Sequence, residues 1–210
     1  MTPIIGVLAL QGDFDAHRQR LHELGASVRL VKKTEQLAEV DALVIPGGES
    51  TNFVILLGET GLEELRRFVR TKPTLGTCAG AILLAAEVEH PVQTALGAID
   101  VRIRRNAYGR QVDSFIRTGV ADNSLMEMVF IRAPRIVRVG PRVEIVATLD
   151  GEPVAVRQGV AMATTFHPEL SRDTRMHQMF LDIVRGRSVG GLVPSAAVAD
   201  GAVDRLPADQ

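Results

Sequence analysis

The chain has no tryptophan, one tyrosine and seven phenylalanines among 210 residues. That scarcity argues against a base-stacking surface, because readers of single-stranded nucleic acid set exposed aromatics beside a basic groove. Charge of one sign is lacking too. The formal net charge is −1, so no bulk attraction to nucleic acid or to an anionic membrane is expected. One cysteine, Cys78, cannot form an internal disulfide, which fits a reducing, cytoplasmic compartment. Met1 to Leu10 has no Lys or Arg ahead of its short apolar run, so neither a signal peptide nor a membrane anchor is expected. There is no internal repeat and no Gly-x-x-x-x-Gly-Lys-Ser/Thr phosphate loop. His17, His22, His90 and His177 share no ligand spacing with Cys78, so no metal is expected.

What is present is an ordinary globular composition, 46% hydrophobic and 23% charged, in a length that buries one large core. Short runs rich in Val and Ile (Pro3 to Leu10, Val28 to Val31, Ala42 to Ile45, Thr74 to Thr77) read as strands buried on both faces. Helical periodicity lies between them. Asp13 to Leu24 puts Phe14, His17, Leu21 and Leu24 on one stripe before Gly25, and Gly61 to Arg70 is similar. Alternating strands and helices imply a parallel sheet covered on both faces. The second half reads differently. Val101 to Ile103, Ser114 to Arg117, Met128 to Arg132, Val143 to Leu149, Pro153 to Arg157 and Val160 to Thr165 are strands joined by turns such as Asp150-Gly151 and Gln158-Gly159. The fold expected is a three-layer, flavodoxin-like α/β fold. It has a mixed, mostly parallel sheet, helices on both faces and an antiparallel extension, closed by a helix over Thr174 to Val184. One domain spans 1–187. Residues 188–210 are Ala- and Gly-rich without periodicity, which predicts a flexible tail.

Four segments carry candidate chemistry. Gly76-Thr77-Cys78-Ala79-Gly80 follows an apolar strand and precedes a helix-forming stretch, Ala81 to Glu87. It reads as a nucleophile elbow, with the thiol facing unpaired N–H groups at a helix start; a buried structural cysteine in a Gly-rich turn is the plainer alternative. In Phe166-His167-Pro168-Glu169-Leu170, Pro168 favours extended backbone at His167, and residues two apart in extended chain share a face. Imidazole and carboxylate then fall together, as a cysteine nucleophile requires, although an idle strand end fits the same letters. Pro46-Gly47-Gly48-Glu49-Ser50-Thr51 ends a strand with backbone N–H groups free to face an oxyanion, or is a strand-to-helix turn capped by Ser50 or Thr51. Arg102-x-Arg104-Arg105 and Arg110 form either a solvated strand edge or a site in which one arginine grips a carboxylate.

Together these segments resemble the class I glutamine amidotransferases, whose triad runs Cys, His, Glu in chain order. Leu8-Ala9-Leu10-Gln11-Gly12-Asp13, Pro46 to Thr51, Gly76 to Gly80, Arg105-Asn106-x-x-Gly109-Arg110-Gln111 and Phe166 to Leu170 are most similar to the glutaminase subunits of pyridoxal 5'-phosphate synthase. The resemblance covers about Ile4 to Val184. It implies Cys78 as nucleophile, His167 as general acid–base and Glu169 as its orienting partner. It implies an L-glutamine site at Gly47, Gly48, Glu49, Arg105, Ile131 and Arg132, and oxyanion donors at Gly48 and Ala79. It also implies a docking place for the synthase (lyase) subunit at Gln11 and Gly12, in a heteromeric complex. Pyridoxal 5'-phosphate is then a product, and no cofactor is expected. Two other readings remain at this point: the glutaminase subunit of another amidotransferase, and a cysteine-elbow protein of the deglycase or chaperone type. The Ala81-Ile82-Leu83-Leu84 continuation after the elbow favours the vitamin B6 branch.

Overall fold

Pattern becomes architecture at the strands. A computed structural model describes residues 2–105 and 114–187; Asn106 to Gln111 of the arginine segment and the expected tail lie outside the described residues. The first strand, β1 (Ile4–Leu8), leads to helix α1 (Phe14–Glu23), then β2 (Ser27–Val31), a 3₁₀ turn at Thr34–Glu39 and β3 (Ala42–Ile45). Helix α2 (Ser50–Val69), β4 (Thr74–Thr77) and the short helix α3 (Ala79–Leu84) follow. Next come β5 (Ala85–Glu89), β6 (Ile99–Arg104), β7 (Ser114–Ala121), β8 (Ser124–Ile131), β9 (Arg135–Val139), β10 (Glu144–Leu149), β11 (Glu152–Gln158) and β12 (Ala161–Thr164). A 3₁₀ turn at Pro168–Leu170 and helix α4 (Arg175–Val184) close the domain.

The main sheet runs β2-β1-β3-β4-β12-β11-β10-β7-β8. Its first five strands are parallel, in a flavodoxin-like order, and the last four are the antiparallel extension. Every residue of β3, β4 and β12 is buried, as continuous apolar runs require between two helical layers. Side chains alternate between layers. Leu43 and Ile45 join the core under α2 and α3, while Ala42 and Val44 face the core under α1 and α4.

Four expectations change. The stretch Ala81 to Glu87 is not one helix: α3 stops at Leu84 and β5 begins. Strand pairing overrides the helix propensity of its alanines and glutamates. Val88 is buried, and Glu87 and Glu89 meet Arg102 and Arg104 across β6, each at 2.7 Å. With β9 these strands form a second, three-stranded sheet, β5-β6-β9, that the sequence reading did not anticipate. Helix α2 starts at Ser50 rather than Gly61, because Gly58 (φ 59, ψ −174) breaks the periodicity between its halves. Its N-cap is Glu49, whose carboxylate accepts from the Thr51 N–H at 3.4 Å, so neither Ser50 nor Thr51 caps it.

Candidate active site

Adjacent parallel strands β1, β3, β4 and β12 end on one side of the sheet, and the segments leaving them carry most of the expected residues. Cys78 leaves β4 with φ 48 and ψ −100, an unfavourable region for a residue with a Cβ. The glycines around it have packing reasons. A Cβ on Gly76 would lie 2.5 Å from the Gly80 carbonyl oxygen, and one on Gly80 would lie 2.1 Å from that of Ile45. The elbow is thereby pressed against β3, and the Cys78 N–H is spent on the Thr164 carbonyl at 2.8 Å.

His167 leaves β12 and donates its backbone N–H to Val129 at 2.8 Å. That bond ties the end of the parallel block to β8, at the far end of the antiparallel extension, and brings Ile131 and Arg132 to the site. His167 Nδ1 lies 2.7 Å from Glu169 Oε1. The pairing matches expectation but its cause differs: Glu169 sits in a 3₁₀ turn, and the turn rather than strand alternation folds the carboxylate back onto the ring. Burial opposes charge on His167, but Cys78 and Glu169 outweigh it and raise its pKa to about 10. Nε2 has no aligned hydrogen-bond partner among the described residues, and the ring faces the cavity it shares with Cys78. The thiol itself contacts the Ile131 carbonyl oxygen at 3.8 Å.

A cavity of about 230 Å³ opens above sulfur and ring. Gly48, Glu49, Arg105, Ile131 and Arg132 line it as expected. Gly47 backs it directly, since a Cβ there would come within 2.4 Å of His167 Cε1. Arg105 Nη2 reaches Glu49 Oε1 at 2.9 Å and the Thr51 hydroxyl at 3.1 Å, so the wall carries one guanidinium beside one carboxylate. The strand-edge reading of the arginine segment does not hold, because β6 is the central strand of the small sheet; Arg102 and Arg104 make solvent-facing pairs with Glu87 and Glu89 there, while Arg105 lines the cavity and pairs with Glu49. Gln11 does not line the cavity but holds it. Its Nε2 donates to the Glu49 carbonyl at 2.7 Å, and its Oε1 accepts from the Glu49 N–H at 3.2 Å. Gly12 (φ 78) lets the two loops touch, for a Cβ would meet the Gly47 oxygen at 1.8 Å.

Asp13, Ser50, Ile82 and Pro134 also line the cavity and were not named from the sequence as site residues, Ser50 having been read only as a candidate N-cap. Ile82 was recoverable, lying one helical turn beyond Cys78. Asp13 was legible only as the residue before a helix. Asp13, His167 and Glu169 bring potential metal-ligand atoms within 4.8 Å of one another. His167 Nδ1 is already committed to Glu169, so this set is better described as an imidazole flanked by carboxylates.

A strained thiol elbow, an imidazole held by a carboxylate and a cavity with paired ionic groups, on a doubly wound sheet, are the arrangement that a cysteine hydrolase requires. The model of the SNO glutamine amidotransferase family matches residues 7–185, and the chain belongs to that family. It is 62% identical over 188 residues to a pyridoxal 5'-phosphate synthase subunit PdxT of Koribacter versatilis (strain Ellin345), covering 89% of this chain and 98% of the relative. It is 51% identical over 193 residues to a protein of the same description from Mycobacteroides abscessus, covering 88% and 99%. A solved structure described as a glutamine amidotransferase matches with TM-score 0.81 at 44% identity, over 86% of this chain and 98% of that one. The structure of PurLQS from Thermotoga maritima, at TM-score 0.66 and 16% identity over 87% and 99%, shares the fold. No helix among the described residues is long and apolar enough to cross a membrane.

Proposed function

We propose that this chain is the glutaminase subunit of a pyridoxal 5'-phosphate synthase, working in the cytoplasm in a heteromeric complex with a synthase subunit. The observation that carries the reading is the His167 ring, fixed by Glu169 on one nitrogen and left without an aligned hydrogen-bond partner on the other, beside a cavity that both His167 and Cys78 line. The names and coverage of the relatives support the pathway.

The chemistry follows from the groups present. Free L-glutamine carries an α-carboxylate and an α-ammonium, and Arg105 and Glu49 offer one partner for each. Glutamine so held directs its side-chain amide toward Cys78. The thiolate attacks the amide carbon, forming the S–C bond, and the carbonyl oxygen becomes an oxyanion. Backbone N–H groups of Gly48 and Ala79 serve as its donors; losing such a donor typically costs about 2.7–4 kcal/mol. The imidazolium of His167 gives its proton to the departing nitrogen, the C–N bond breaks, and ammonia leaves a γ-glutamyl thioester. Water then loses a proton to the now neutral ring and attacks the thioester carbon. The S–C bond breaks, glutamate departs, and the ion pair is restored. A subunit docking on Gln11 and Gly12 would press on the loop carrying Gly48, because Gln11 is bonded to Glu49. Docking thereby couples to turnover, and the chain alone is a weak glutaminase.

The test is pyridoxal 5'-phosphate formation by the reconstituted complex. Cys78→Ala abolishes glutamine-dependent synthesis and spares synthesis from added ammonia. Loss of both would make Cys78 a structural residue. Equal glutaminase rates with and without the synthase subunit would overturn the docking part, and full activity of Cys78→Ala would overturn the triad.

A further inference from the structure

Behind the triad lies a second buried polar chain that the reaction above does not use. His17, on α1, and His177, on α4, are both fully buried. His17 Nδ1 is 3.0 Å from His177 Nε2. His17 Nε2 is 3.1 Å from the Thr77 hydroxyl, next to the nucleophile, and 3.2 Å from Glu169 Oε2. That oxygen is the one His167 does not touch, and it has no aligned hydrogen-bond partner among the described residues. A carboxylate oxygen buried in this way needs a donor facing it.

Lone pairs and protons select one tautomer. Were the His17 proton on Nδ1, the bare Nε2 lone pair would face a carboxylate oxygen at 3.2 Å, and His177 would bury an N–H at Nδ1 with no aligned partner. With the protons on both Nε2 atoms, His177 donates to His17 Nδ1. His17 Nε2–H then bonds Thr77, with Glu169 Oε2 3.2 Å from the same nitrogen but off the N–H axis, so that a small turn of the carboxylate or ring completes the contact, and only an acceptor lone pair on His177 goes unused. Burial holds both rings neutral: His17 is pushed below its usual pKa and His177 down to about 3.

We propose that His17 is a positioning residue, whose Nε2–H anchors the outer oxygen of Glu169 and so fixes the carboxylate that orients His167. This rests on the triad reading given above. A carboxylate held at one oxygen only can rotate away from the ring; held at both, it has a single orientation. The other titratable or charged groups around Glu169 are His167 and Cys78 on its inner side, Asp13 before α1, and Arg20. Arg20 bonds the Glu169 carbonyl at 3.3 Å and not its carboxylate.

The test compares His17→Gln with His17→Asn in the full chain, with its synthase subunit present. A glutamine amide reaches the place of Nε2, and an asparagine amide only that of Nδ1. We expect His17→Asn to lower kcat for glutamine hydrolysis about 10- to 100-fold, the usual cost of losing an outer-shell partner, with KM unchanged. Its acid limb in the kcat–pH profile moves to higher pH, because losing a donor to the ionised carboxylate makes that carboxylate more basic. His17→Gln regains most of the rate and the parental acid limb. Combined with Glu169→Gln, His17→Asn costs nothing further. Equal losses in both His17 variants with an unmoved acid limb, or a parental kcat in His17→Asn, would overturn the proposal. Imidazole NMR of the unaltered protein tests it without any variant: the His17 proton must sit on Nε2 at neutral pH, and a proton on Nδ1 rejects the anchor. Cys78→Ala in the same assay separates the two claims. If Cys78→Ala is inactive and His17→Asn is parental, only the anchor fails; if Cys78→Ala is active, the triad itself fails.

Discussion

His167 and His177 are two buried imidazoles on the same side of the molecule, and they are driven in opposite directions. One rises to a pKa of about 10 and the other falls to about 3. Burial penalises charge on both. At His167 a thiol and a carboxylate outweigh the penalty, whereas at His177 the Glu169 carboxylate is too remote to do so and the nearest partner is another neutral ring. Burial therefore does not decide which histidine carries charge. The neighbours do: Cys78 stands beside His167 only, and Glu169 stands between the two regions, with Oε1 toward His167 and Oε2 toward the neutral pair.

The sharpest way to break this contrast is to remove that carboxylate. Glu169→Gln keeps the shape and deletes the charge. We expect kcat to fall by about 10⁴-fold, as for orienting carboxylates in other triads. The carboxylate helps to raise the His167 pKa, so its loss must bring the alkaline limb of the kcat–pH profile down from about pH 10. An unchanged alkaline limb would mean that Cys78 alone sets the ring's charge.

A smaller effect is expected where the ring is held by shape. Gly47→Ala places a methyl within 2.4 Å of His167 Cε1, and the ring must shift. A displacement of about 1 Å at a reacting group costs on the order of 10²-fold. Glutaminase assay should show that loss while circular dichroism and melting show a folded chain. A parental rate would show that the loop, rather than the ring, gives way.

The difference between these regions also marks what was legible in the letters. β3 is a short apolar run ended by Pro46-Gly47 and β4 a short run of Thr, Leu and Gly after Pro73, and the structure has both strands with the expected bounds. Cys78, His167 and Glu169 stand in short motifs that each left a plainer reading open; the family resemblance, not local geometry, joined them, and the structure places all three side by side at the strand ends. Beyond that, local pattern competes with distant pairing. The Ala- and Glu-containing stretch after α3 becomes a strand only because β6 supplies arginines opposite its glutamates. In β9, arginines interrupt the apolar alternation and hide the strand. His17 occupied an apolar helical stripe beside Leu21, where it reads as core. That is true of its burial and silent about its partners, because Thr77, Glu169 and His177 reach it only through tertiary packing.

The smallest effect concerns stability, and its sign differs for the two histidines. A group whose folded pKa lies above its unfolded value stabilises the fold below the unfolded value and ceases to do so as pH rises through the folded one. His167 should therefore lend stability near neutrality that is lost toward about pH 10. His177 does the reverse. Below about pH 6.5 the unfolded chain takes up a proton that the native chain refuses until about pH 3, so stability declines across that window. The slope from one such group is at most about 1.4 kcal/mol per pH unit. Denaturant unfolding of the parent and of His177→Leu, repeated from pH 7 to 4, isolates this contribution. The variant should show the shallower acid decline whatever its stability at pH 7, because only its dependence on pH reports the missing proton. Parallel declines would place the acid sensitivity in His17 and the carboxylates, and would leave His177 as packing alone.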